Sequence, residues 1–238
     1  MKPNKGNHSF ALTILVSLAV VMSIAANIIS GRLGFFGPFV APMGVFFFPF
    51  IFILSDVVGD VYGYRVNRWM SWTALGANLL FVALILVVIN VIQPAPWVIP
   101  QDQAIRLLLI GGEGTSGMIR IVIAGVIAAT IGMWMNDIVF QKLRHRDGIM
   151  KFMRRKFASS AVGEAIDTIL FITIAFVGVM PFTMLLQMYV VQFILKYGVE
   201  VVTAPLARWG ARYVRSIEGE EAFEDRNRFN IFGFEKKS

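Results

Sequence analysis

Residues 70–92 read MSWTALGANLLFVALILVVINVI, 23 consecutive positions without one Asp, Glu, Lys, Arg or His. At helical rise such a stretch reaches about 34 Å, enough to cover the roughly 30 Å hydrocarbon core of a bilayer. Apolar on every face and long enough to cross, the segment reads as a transmembrane helix. Runs of the same kind occupy residues 10–29, 40–58, 118–140, 157–180 and 182–206. The first is too long for a signal-peptide core and has no convincing cleavage site, so it reads as a retained helix. The second contains Pro42 and Pro49 and is expected to be bent or partly unwound. Pro181 marks the turn before the sixth.

Composition points the same way. The chain of 238 residues is 57% hydrophobic and 16% charged, with a mean hydropathy of +0.69; an average soluble domain is about a quarter charged. The expected fold class is an all-α integral membrane protein, a six-helix bundle, divided into a cytoplasmic N-terminus (1–9), a transmembrane domain (10–209) and a charged cytoplasmic tail (210–238). The part of the tail after Ser216 reads as a mobile extension. There is no Cys, which excludes disulfides, thiolate metal sites and a cysteine nucleophile. The two histidines, His8 and His145, fall in polar segments outside the apolar runs, which argues against a metal site or a Ser-His dyad within the membrane. No metal and no cofactor is expected.

The net charge of +7 does not imply nucleic acid, because the basic residues cluster at the ends of the spans. Lys2 and Lys5 precede the first run, and Arg65 and Arg68 follow the second. Lys142, Arg144, Arg146, Lys151, Arg154, Arg155 and Lys156 follow the fourth, and Arg208, Arg212 and Arg215 follow the sixth. The alternate loops carry only Arg32 and Arg106. By the positive-inside rule both termini face the cytoplasm. Between the third and fourth runs, residues 93–117 hold three prolines, three glycines and the apolar segment 104–110. They read as an exposed loop with a short segment at the membrane surface. The glycines match no phosphate-binding loop, since no Lys-Ser/Thr pair follows them.

The polar residues inside the runs carry the functional signal. Asp56, Asp60, Arg120, Asp137, Glu164, Asp167, Lys196 and Glu200 lie within or at the edge of spans. A charge at mid-bilayer costs about 2.5–3.5 kcal/mol on insertion scales, so such groups face a bundle interior or a watery cavity. Counted from the cytoplasmic ends at helical rise, Glu164, Asp167 and Lys196 fall at similar depth, roughly 10–15 Å in, on consecutive antiparallel helices. Glu164 and Asp167 are three apart and Lys196 and Glu200 four apart, so each pair shares a helix face; Gln192 extends the second stripe by a turn. Bland readings stand beside this. Lys196 and Glu200 could simply neutralise each other within one helix. Asp60, Arg65 and Asp137 suit the interface better than a ligand site, and Arg120 could snorkel outward or pair with a buried acid. Ala19, Ser23 and Asn27 form a small-residue stripe that permits close helix packing. Two acids on one buried face, in a span with no base among their neighbours, are the hardest to dismiss.

At these residues the chain resembles a known family. Phe48-Pro49-Phe50 leading to Asp56 and then Asp60-Val61-Tyr62-Gly63, together with Gly163-Glu164-Ala165-Ile166-Asp167-Thr168 followed by Ala175-Phe176-Val177-Gly178, is similar to the queuosine-precursor transporters of the vitamin uptake transporter family. Lys196, Glu200 and Pro205 resemble that family's last helix, and Asn27 and Arg120 fall where it has such residues. The likeness runs from about Asn27 to Pro205. Two positions depart: Glu164 stands where the family usually has an amide, and Asp60 where longer members often have Glu.

The resemblance implies a multi-pass protein of the bacterial cytoplasmic (inner) membrane that imports 7-deazaguanine bases such as preQ0, preQ1 or queuine for salvage into a tRNA modification. It also implies a substrate site drawn from Glu164, Asp167, Lys196, Gln192, Asp56, Glu200, Asn27 and Arg120. Acids in the second and fifth runs hint at two inverted three-helix halves. A homodimer and a separate energising partner module remain open, as in a substrate-binding subunit of an energy-coupling-factor importer. An intramembrane enzyme is the remaining alternative, weakened by the lack of a nucleophile with a base, a metal cluster or a nucleotide motif.

Overall fold

The computed structural model describes residues 10–92, 94, 96–113, 115–144 and 152–218. Seven helices follow one another: α1 (Phe10–Ser30), α2 (Phe48–Val61), α3 (Tyr64–Val91), α4 (Ile99–Ile110), α5 (Met118–Arg144), α6 (Phe152–Phe176) and α7 (Phe182–Glu218). All but α4 are long and apolar enough to cross a bilayer, α2 together with the 3₁₀ turn Met43–Phe47 that leads into it. At roughly 18 Å, α4 is too short to cross. The protein is an all-α bundle of six spans. Its outer surface is apolar, as lipid requires: Leu80, Leu84, Val88 and Val91 make an exposed stripe along α3.

Residues 40–42, read as the start of the second span, instead pair in a hairpin. β1 (Leu33–Phe36) runs antiparallel to β2 (Phe39–Pro42), and Gly37 makes the turn at φ 64°. Pro49 lies in the first turn of α2, where its missing N–H removes no helical bond. The irregularity expected of this span is therefore confined to the 3₁₀ turn before it. Two residues separate α2 from α3, and Gly63 reverses the chain there at φ 90°, a conformation that a Cβ disfavours. α6 ends at Phe176, and residues 177–180 form a turn around Gly178 rather than a further turn of helix. α7 continues through Pro205 to Glu218, 37 residues in all. The loop 93–117 holds α4 and a second small hairpin, β3 (Gly111–Gly112) with β4 (Thr115–Ser116). The N-terminal segment with Lys2, Lys5 and His8, the basic stretch 145–151 with His145, and the charged tail beyond Glu218 lie outside the described residues.

The tightest helix contact lies between α5 and α6, and glycine makes it. A Cβ on Gly132 would stand 2.9 Å from the Asp167 Cβ and 3.0 Å from the Gly163 carbonyl oxygen. One on Gly163 would stand 2.8 Å from the Asn136 Cβ and 2.9 Å from the Gly132 carbonyl oxygen. Small residues continue the seam toward Ile121, Ala124 and Ala128, which pack with Ile172 and Ala175. Gly163→Ala is expected to force the two backbones apart at a cost of about 1–3 kcal/mol, read as a lower unfolding temperature in detergent. Gly76→Ala is the control, since a Cβ there meets nothing within 4 Å.

Candidate functional site

α6 and α7 meet at a buried cluster of charge. The Lys196 ammonium forms an ion pair with Asp167 and lies 3.5 Å from Glu164 Oε2. It also sits over the ring of Phe48, the first residue of α2, 4.4 Å from the ring centroid. Three helices thus supply two carboxylates and one aromatic face around a single ammonium, and an aromatic face attracts a cation through its quadrupole. Lys196 is enclosed, its side chain 6% exposed, while the Glu164 and Asp167 side chains keep 18% and 15% of their surface open. Glu164 and Asp167 share one face of α6 because they are three residues apart, and Lys196 meets both from the neighbouring helix. The lysine is therefore divided between two acids on α6.

Other polar groups surround this cluster. Gln192 is buried one turn before Lys196 on α7, and Thr168 is buried beside Asp167 on α6. Gln192 Oε1, Thr168 Oγ1 and Glu164 Oε2 have no hydrogen-bond partner, a costly state for buried polar atoms. Glu200, one turn beyond Lys196, accepts a hydrogen bond from the Ser160 hydroxyl, with both carboxylate oxygens within 2.7 Å of it. The apolar pattern could not reveal the parts of Phe48, Ser160 and Thr168, though Phe48 belongs to the motif already singled out. Among the described residues no group of three or more His, Cys, Asp or Glu is placed to hold a metal ion.

The remaining candidate residues are held elsewhere. Asn27 on α1 donates to Asn78 Oδ1 on α3 at 2.7 Å, and Asn78 donates to Ser23 Oγ at 2.8 Å. The small-residue stripe of α1 is thus an amide-zippered contact with α3. Arg120 donates to the carbonyl oxygens of Ile174 at 2.6 Å and Val177 at 2.5 Å. It caps the end of α6, where carbonyls lack helical donors. Asp56 is half-buried on α2, about 12 Å along the axis from Phe48 by helical rise.

At the basic end of the bundle, charge ties the helices together. Arg68 of α3 is buried and pairs with Asp137 of α5, which also accepts from the Tyr64 hydroxyl. The Arg68 guanidinium lies 4.9 Å from the Tyr64 ring centroid. Arg215 of α7 pairs with Asp60 of α2 at 2.9 Å and donates to the Asp60 carbonyl at 2.7 Å. Asp60 and Asp137 both make structural ion pairs between helices.

Comparison with known proteins adds a family. A family model described as "Putative vitamin uptake transporter" matches residues 42–210. The chain is 23% identical over 171 residues to the "Probable queuosine precursor transporter" of Bacillus subtilis (strain 168), a match covering 70% of each chain. No solved structure matches.

Proposed function

The chain belongs to the vitamin uptake transporter family, and from that premise we propose that it carries 7-deazaguanine bases, the queuosine precursors, into the cytoplasm of a bacterial cell. The observation that carries this reading is the cluster on α6 and α7: two carboxylates, an ammonium and an amide buried within the spans, beside hydrogen-bonding atoms that have no partner. A 7-deazaguanine presents ring N–H and exocyclic NH₂ donors side by side, and one carboxylate accepts both. Glu164 and Asp167 take this donor edge, and Gln192 or Lys196 donates to the ring carbonyl. The flat ring stacks on an aromatic side chain, for which Phe48 is suitably placed. Glu200 and Asp56 lie toward the basic end and act on passage of the base rather than on its first capture. The basic end faces the cytoplasm by the positive-inside rule, so import runs along α7 from Phe182 toward Glu218.

Binding of 7-cyano- and 7-aminomethyl-7-deazaguanine to the purified chain in nanodiscs tests this, with guanine and adenine as controls. Micromolar binding of a deazaguanine is expected, with adenine excluded because its Watson–Crick edge offers an amino group beside an acceptor nitrogen rather than two adjacent donors. A folded protein that binds neither deazaguanine would remove the substrate assignment and leave a carrier of another solute.

A further inference from the structure

Lys196 occupies what is in chemical terms a cation cage. Its ammonium is bounded by Asp167, by Glu164 at 3.5 Å and by the Phe48 ring at 4.4 Å. Carboxylates plus an aromatic face recognise alkylammonium ions generally, and a lysine ammonium is itself a primary alkylammonium on a flexible stem. Beside it stand the buried, unpartnered Gln192 Oε1 and Thr168 Oγ1, so the surroundings offer more hydrogen bonding than Lys196 uses. Counting formal charges, Glu164, Asp167 and Glu200 outnumber Lys196 by two.

We propose that Lys196 is a tethered stand-in for a ligand's own ammonium. A primary alkylammonium on the entering base takes its place between Glu164, Asp167 and the Phe48 ring, and Lys196 turns to Glu200. Glu200 is four residues along the same helix, within reach of the lysine stem, and in the present arrangement accepts the Ser160 hydroxyl. The exchange leaves each ammonium beside a carboxylate and reduces the excess of negative charge from two to one. A neutral base cannot displace the lysine and gains none of these contacts. The site therefore selects bases that carry an aminomethyl group, and Gln192 rather than Lys196 serves the ring carbonyl. This deepens the base-carrier reading and rests on it only for the identity of the ring.

The test compares 7-aminomethyl- with 7-cyano-7-deazaguanine by calorimetry on the full chain in nanodiscs. The aminomethyl base is expected to bind about tenfold tighter or better. Glu164→Gln, which keeps an acceptor oxygen and removes the charge, should bring the ratio of the two bases close to one. Lys196→Ala should bind the aminomethyl base at least as tightly as the unaltered protein does, because the competitor is gone. Equal affinity for the two bases in the unaltered protein would overturn the proposal, as would loss of aminomethyl binding in folded Lys196→Ala. A second arm needs no deazaguanine. Ethylammonium should raise the unfolding temperature of Lys196→Ala, tetramethylammonium should not, and Glu164→Gln/Lys196→Ala should lose the response. If the unaltered protein binds neither base, the base-carrier reading falls and the ethylammonium arm alone decides: stabilisation supports the cage, its absence refutes it. If Lys196→Ala does not fold even with ethylammonium present, the Glu164→Gln ratio decides.

Discussion

Replacing Asp167 by Asn is expected to weaken binding of the transported base by about a hundredfold or more, and uptake with it, in protein that still inserts and folds. Two losses combine. The carboxylate ceases to be a charged acceptor, and charge-assisted hydrogen bonds are worth about 1.5–3 kcal/mol each. Lys196 is left with Glu164 at 3.5 Å as its partner on α6, so the ammonium loses the contact that positions it. Asn is the informative replacement because the Asp167 Cβ lies against Gly132 and the volume has to be kept. Binding in nanodiscs and uptake of labelled base by cells, normalised to inserted protein, give the two readings. Unchanged binding in both Asp167→Asn and Asp167→Ala would move the ligand away from α6.

The second large effect concerns stability. Arg68→Met or Asp137→Leu is expected to destabilise the protein by about 3–5 kcal/mol, the usual cost of leaving one buried charge without its partner. The pair joins α3 to α5 with both side chains largely enclosed, 6% and 12% exposed. Removing both charges together should recover most of the loss, because a buried ion pair and an apolar pair of similar volume are close in free energy. Tyr64→Phe removes one hydrogen bond to Asp137 and should cost about 1 kcal/mol. Unfolding in mixed micelles across this double-mutant cycle measures each value. Single variants within about 0.5 kcal/mol of the parent would mean that the pair is solvated rather than buried.

The six spans were legible because hydrophobic length is a one-dimensional property of the chain. The common depth of Glu164, Asp167 and Lys196 was legible for a related reason: helical rise converts residue number into depth. What depth cannot give is rotation about the helix axis. Glu200 and Lys196 share a face of α7, and sequence alone offered their mutual neutralisation. The fold instead places Lys196 between two acids of α6. Arg68 and Asp137 stand 69 residues apart, and only the packing of α3 on α5 joins them. The one hint was that opposite charges end two spans on the same side. Residues 40–42 were placed in a helix because a short apolar run does not distinguish strand from helix. Gly37-Pro38, flanked by LGFF and FVAP, was the turn signal that could have corrected it. Arg120 was weighed as a snorkelling residue or a partner for a buried acid, and it took backbone carbonyls, a partner that no side-chain inventory reveals.

The contact between Gly132 and Asp167 also bears on how this chain can be altered. The Cβ of the acid and the bare backbone of the facing helix are one contact, so helix spacing and carboxylate position are not separate variables. A mutation anywhere along the seam that opens α5 from α6 by a few tenths of an ångström moves the acid relative to Lys196 by a similar amount. Recognition that depends on fixed hydrogen-bond distances tolerates little of this. Changes of cargo are therefore more accessible through α7, from Gln192 to Glu200, than through α6. The α6 side has almost no room to drift, whether under natural variation or in an engineer's library.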